Sequence, residues 1–112
     1  MWTHFMDMNS GGWRKEDFAH LYIEAPKDAA VAVFFSRYGH DPARVSCTCC
    51  GDDYSVSEAP TLEEASRFER RNGSTLATYL ARPEVAVIRA ENITEEEREA
   101  DIPQSGWVWV EA

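Results

Sequence analysis

Apolar and polar residues alternate from Trp2 to Met8, with Trp2, His4, Met6 and Met8 on one side and Thr3, Phe5 and Asp7 on the other. A period of two predicts a strand. Asn9-Ser10-Gly11-Gly12 breaks it, and the polar stretch from Trp13 to Asp17 completes a loop. Phe18 to Ile23 reads as a second strand, with Ala19, Leu21 and Ile23 on one face and Phe18, His20 and Tyr22 on the other. The two strands are expected to pair antiparallel across that loop.

Pro26 then fits the first turn of a helix, where its missing N–H costs nothing, and Asp28 is favourable near the positive end. Ala30, Val33, Phe34 and Tyr38 recur at helical spacing and predict one buried stripe. Arg37 suits the last turn, Gly39 the left-handed cap, and Pro42 prevents continuation. Two short strands are expected over Arg44–Cys50 and Tyr54–Ser57, joined by a Gly51-Asp52-Asp53 turn. Thr61-Leu62-Glu63-Glu64 has the form of a capping box, opening a helix that turns Leu62, Ala65 and Phe68 inward and stops at Asn72-Gly73.

Leu76, Tyr79 and Leu80 predict a further helical turn or two before Pro83, and the apolar run Val85–Ile88 an interior strand. Thr94-Glu95-Glu96-Glu97 repeats the capping pattern in a short acidic turn at the surface. Gly106–Val110 reads as a closing strand with Trp107 and Trp109 on one face. No repeat or linker interrupts the series. The expected fold is therefore a single small α+β domain over residues 1–112, mostly antiparallel sheet with two main helices packed on it.

Composition agrees, since 112 residues suffice for one modest core and 44% hydrophobic content is enough to fill it. No apolar run is long enough to cross a membrane, and Met1 to Phe5 lack the basic start of a secretion signal, so a cytoplasmic setting without a membrane partner is expected. Acidic residues number 20 against 11 basic, a formal charge of −9. That repels a phosphate backbone, so direct nucleic-acid binding is not expected, whereas a protein with a basic surface is an admissible partner.

Three thiols fall within four residues, Cys47, Cys49 and Cys50. Cys47 and Cys50 stand at the C-x-x-C spacing of a zinc knuckle with Gly51 directly after, but no second pair exists. His40 and Cys49, or a second copy of the chain in a homodimer, could complete a tetrahedral set. Small buried cysteines are the default reading; the expectation is of no cofactor, with zinc the one to consider. A redox pair is disfavoured, because Asp52 and Asp53 should raise a nearby thiol pKa, and a cysteine nucleophile with His40 as base is disfavoured because seven positions of separation do not bring the two together. Trp13 sits in a polar loop beside Arg14 and Lys15, where an exposed ring would serve as an interface anchor. Arg14 and Lys15 could also hold a small anionic, nucleotide-like ligand near the Ser10-Gly11-Gly12 loop, which lacks the full phosphate-loop pattern.

Several stretches together carry a resemblance. Met1-Trp2-Thr3-His4-Phe5 with Asp7-Met8 and Ser10-Gly11-Gly12 open it. Ile23-Glu24-Ala25-Pro26 and Tyr38-Gly39-His40 follow, and then Cys47-Thr48-Cys49-Cys50-Gly51 with Asp53-Tyr54-Ser55. The first half of the chain resembles a group of small bacteriophage-encoded proteins. Their pattern often has histidine before Ser10, where this chain has Asn9, so a histidine role at that position does not carry over. The resemblance implies a phage setting of host-takeover and anti-defence factors, and no particular chemistry.

The expected function is thus that of a small acidic phage accessory protein, not an enzyme, that binds a bacterial host protein and inhibits a defence or regulatory system. Its expected contact residues are Trp13, Arg14 and Lys15 on the loop, and Glu95, Glu96, Glu97, Glu99 and Asp101 in the acidic segment. The alternatives are a module that sequesters a small anionic ligand, or a small zinc or thiol domain using Cys47, Cys49, Cys50 and His40.

Overall fold

The computed structural model describes residues 1–9, 12–44, 51–70 and 74–101. Strand β1 (Trp2–Asp7) pairs antiparallel with β2 (His20–Ile23), placing Thr3 opposite Ile23 and Phe5 opposite Leu21. On its other edge β1 pairs antiparallel with β3 (Tyr54–Ala59), and β2 pairs in parallel with β4 (Val85–Ile88). The sheet order is β3-β1-β2-β4, so the domain is α+β with a mostly antiparallel sheet. Among the described residues Val85–Ile88 is the last strand on its side of the sheet, beside β2; the expected closing strand Gly106–Val110 lies outside them.

Because side chains alternate along each strand, the sheet has two apolar faces and needs a cover on both. Phe5, Leu21, Ile23, Tyr54 and Ile88 point to one face, where α1 (Lys27–Tyr38) lays down Ala30, Val33 and Phe34. Burying each large side chain there contributes about 1.5–3 kcal/mol. The α1 helix runs as its signals predict: it follows Pro26 and ends at Gly39, whose φ of 79° is left-handed and whose N–H closes onto Phe35. On the opposite face Trp2 and Tyr22 meet Leu62 of α2 (Leu62–Ala65) and Tyr79 of α3 (Leu76–Leu80). Thr61 and Thr75 cap these two short helices by accepting from the amides of Glu64 and Thr78.

Two side chains depart from the simple periods. Phe18 was expected on the face of His20 and Tyr22, but the strand starts only at His20, and Phe18 packs with Phe34, Tyr38 and Tyr54 in the α1 core. Phe68 was expected to face inward and is 81% exposed. The reason is local: α2 stops at Ala65, the Ser66 N–H makes its last four-residue bond to the Leu62 carbonyl, and the chain then tightens into three-residue turns, Arg67 N–H to Glu64 and Glu69 N–H to Ser66. The 3.6-residue period therefore does not reach Phe68. After β4, a 3-10 turn (Ala90–Asn92) leads to α4 (Glu95–Arg98), the acidic surface turn expected there, with both halves of the Thr94–Glu97 capping box formed. No described helix is long and apolar enough to cross a membrane.

Candidate functional site

The loop between β1 and β2 is held at its base by one side chain. The Asp7 carboxylate accepts from the Asn9 amide at 2.7 Å and from the Lys15 amide at 2.9 Å, so one residue ties both flanks of the turn. Asn9 (φ 53°) and Gly12 (φ 85°) take the left-handed conformations that the reversal requires. Further on, His40 Nε2 and Glu16 Oε2 lie 3.2 Å apart and join the loop to the chain leaving α1. Trp13 stands on this tied loop and is 53% exposed. The Lys15 ammonium lies 4.3 Å from the ring centroid and donates to the Trp13 carbonyl, fixing the indole from one side.

Arg14 is exposed and borders an open depression of about 440 Å³ with Asp17, Ala19, Pro83 and Glu84. The two carboxylates on that wall oppose the approach of an anion, so the geometry here does not favour a nucleotide-like ligand.

In the acidic segment Glu95, Glu96, Glu99 and Asp101 are exposed, whereas Glu97 is already engaged. Arg37 in the last turn of α1 donates to Glu97 from Nε at 2.6 Å and from Nη2 at 3.2 Å, and also to the Asn92 carbonyl. The Arg37 hydrogen bond comes first, and with the Thr94 amide it holds the Glu97 carboxyl below the usual range. Glu97 thus docks α4 on α1 and leaves the other four acids to face outward.

A second cluster, not expected from sequence, lies on the sheet face covered by α2 and α3. His4 Nε2 and His20 Nδ1 are 2.9 Å apart, and His20 Nε2 is 3.5 Å from Glu69 Oε1. With Nε2–H of His20 turned to the carboxylate, its Nδ1 accepts from His4 Nε2–H. The His4 ring stacks on Tyr22 at 4.4 Å and 8°, and the Tyr22 and Tyr79 hydroxyls meet at 2.7 Å. Burial, and secondarily the like charge of His20, pushes the His4 pKa down to about 4. Burial also lowers His20, against the opposing pull of Glu69 and Glu84. Burial raises both tyrosines. The imidazole pair and the phenol pair are thus stacked polar pairs on an otherwise apolar face. The sequence signal was the shared parity of His4 with Trp2, and of His20 with Tyr22; only the strand register puts the two imidazoles together.

Near the other face, His40 lies edge-on to Phe34 and parallel to Tyr54, with ring centroids at 5.3 and 6.1 Å. Its Nδ1 and the Tyr54 hydroxyl are buried and have no hydrogen-bond partner among the described residues. Cys47, Cys49 and Cys50 lie outside the described residues, as do Trp107 and Trp109. Among the described residues no group of three or more histidine, cysteine or acidic side chains is placed to hold a metal ion. Of the expected site residues that are described, Trp13 and Lys15 are in contact, Glu97 is diverted to Arg37, and His40 packs against Phe34 and Tyr54.

No family model matches the chain, and neither a curated protein nor a solved structure matches it.

Proposed function

We propose that this chain is a non-enzymatic accessory protein of a bacteriophage that acts in the bacterial cytoplasm by binding a host protein and inhibiting a defence or regulatory system. One observation carries the binding reading: a tryptophan more than half exposed on a loop tied at its base by Asp7. A large apolar ring costs free energy when left in water, and the backbone bond from the Lys15 amide to Asp7 beside it lowers the entropy lost on docking. Tryptophan is also the side chain most enriched among residues that dominate protein interfaces. The net charge of −9, with Glu95, Glu96, Glu99 and Asp101 outward, favours a partner with a basic surface. The phage setting and the inhibitory role rest on the sequence resemblance.

The test is capture from a bacterial lysate on the immobilised chain, beside a variant with Glu95, Glu96, Glu99 and Asp101 changed to lysine. The expected outcome is one enriched protein whose retention falls with salt and falls again in the variant. Equal background on both columns refutes the proposal.

A further inference from the structure

A cleft of about 300 Å³ opens between α1 and β3. That volume is at the lower end of the range for small-molecule sites. Part of its wall is apolar. Val31 of α1 and Val56 of β3 are half-buried and pack against the α1 core, and the fully buried Pro42 lines the cleft with them.

Charged residues line the same cleft from two directions. Lys27 opens α1, and its amide donates to the Glu58 carboxylate near the end of β3. Farther along, Phe34 of α1 meets Tyr54, the first residue of β3, at 5.0 Å. The helix therefore runs back along the strand, so that Asp41 beyond its end and Asp52 ahead of Tyr54 stand opposite Lys27. Among the described residues neither the Lys27 ammonium nor the Asp52 carboxylate has an ion-pair partner, and Asp41 engages one oxygen with the Ala43 amide.

A cation and two carboxylates held apart over an apolar wall select a ligand with the complementary pattern. That ligand is a zwitterion with an apolar body between its charges. An α-amino acid carries both charges on one carbon, whereas the strand from Tyr54 to Glu58 extends about 13 Å. A dipeptide reaches about 7 Å, and the long stem of Lys27 spans the remainder. The reversed orientation would set like charges together at both ends, so the site also fixes direction.

We propose that this cleft binds a short apolar peptide with free ends, its ammonium group at Asp41 and Asp52, its carboxylate at Lys27 and its side chains over Val31 and Val56. The inference does not depend on the partner-binding reading.

The experiment titrates alanyl-leucine into the full chain and follows the backbone amides by NMR. Saturable shifts are expected at Val31, Ala43 and Val56, with a Kd of about 1 mM or tighter. N-acetyl-alanyl-leucine lacks the ammonium group and alanyl-leucinamide lacks the carboxylate. Each should bind at least about tenfold more weakly, as for the loss of one charged hydrogen bond. Lys27→Gln should weaken alanyl-leucine to the same degree and leave alanyl-leucinamide unchanged, a selectivity that general loss of structure does not produce. Asp52→Asn should weaken alanyl-leucine and leave the N-acetyl peptide unchanged. Both residues are exposed, and circular dichroism checks that the variants keep the fold. No saturation by about 10 mM, shifts confined to residues away from the cleft, or equal binding of the three peptides overturns the proposal.

Discussion

Acid should destabilise this fold through His4. The ring is 6% exposed, and its pKa is pushed from 6.5 down to about 4, so the folded state prefers the neutral form more strongly than the unfolded chain does. Above pH 6.5 both states hold a neutral imidazole and the native contacts are intact. As pH falls below 6.5 the unfolded chain takes up a proton that the native site resists, and stability declines until the native pKa near 4 is reached. A displacement of that size corresponds to about 3 kcal/mol lost at pH 4, a large part of the 5–15 kcal/mol that holds a small domain together. Carboxylates titrate in the same window, so the measurement is a difference. Urea unfolding of wild type and His4→Gln is followed at a series of pH values from 7.5 to 4. The stability difference, wild type minus variant, should fall by about 3 kcal/mol over that range. A difference that does not change with pH would refute the reasoning, because His4 would then protonate as freely folded as unfolded.

The paired phenols give a second outcome. Tyr22→Phe alone should cost about 1–3 kcal/mol, because it strands the Tyr79 hydroxyl in an apolar layer, while the double change Tyr22→Phe with Tyr79→Phe should cost less than the sum of the singles; chemical denaturation decides it. Phe34→Ala should lose about 3–5 kcal/mol and Phe68→Ala less than about 0.5, although a helical reading of the sequence would bury both. Gly39→Ala should cost about 1 kcal/mol through its left-handed φ, since no atom beyond its own chain neighbours lies within 4 Å of the added methyl group. Arg37→Ala should shift stability by no more than about 1 kcal/mol in low salt and less in high salt, as expected for an exposed ion pair.

Much of the fold was legible because local and tertiary demands coincide. The alternation from Trp2 to Asp7, the helical stripe of Ala30, Val33, Phe34 and Tyr38, and the stop at Gly39 each specify one conformation. The antiparallel pairing of the first two strands also follows from their adjacency in sequence. The losses arise where a period was extended past its element. Phe68 lies beyond the end of α2 at Ala65, and Phe18 lies before the first paired residue of β2. The parallel pairing of Val85–Ile88 with β2 was not legible, because an apolar run does not show which strand it joins.

The candidate sites divide in the same way. The exposure of Trp13 was legible because a tryptophan among charged loop residues has no core to enter. The diversion of Glu97 to Arg37 depends on the docking of α4 against α1, 60 residues apart in sequence. The meeting of His4 and His20 needs a register in which His4 faces Tyr22 and His20 faces Met6, making the two imidazoles diagonal neighbours on one face.

Binding through the Trp13 loop is the central claim, and its most direct test is parallel capture from bacterial lysate by wild type, Trp13→Ala and Met1→Ala. Met1 is as exposed as Trp13, at 54% against 53%, so it controls for the loss of exposed apolar surface. The account predicts one protein captured by wild type and Met1→Ala, bound about thirtyfold more weakly or worse by Trp13→Ala, as for an interface residue contributing about 2 kcal/mol or more. Equal capture by Trp13→Ala and wild type, or no specific capture by wild type, would contradict it.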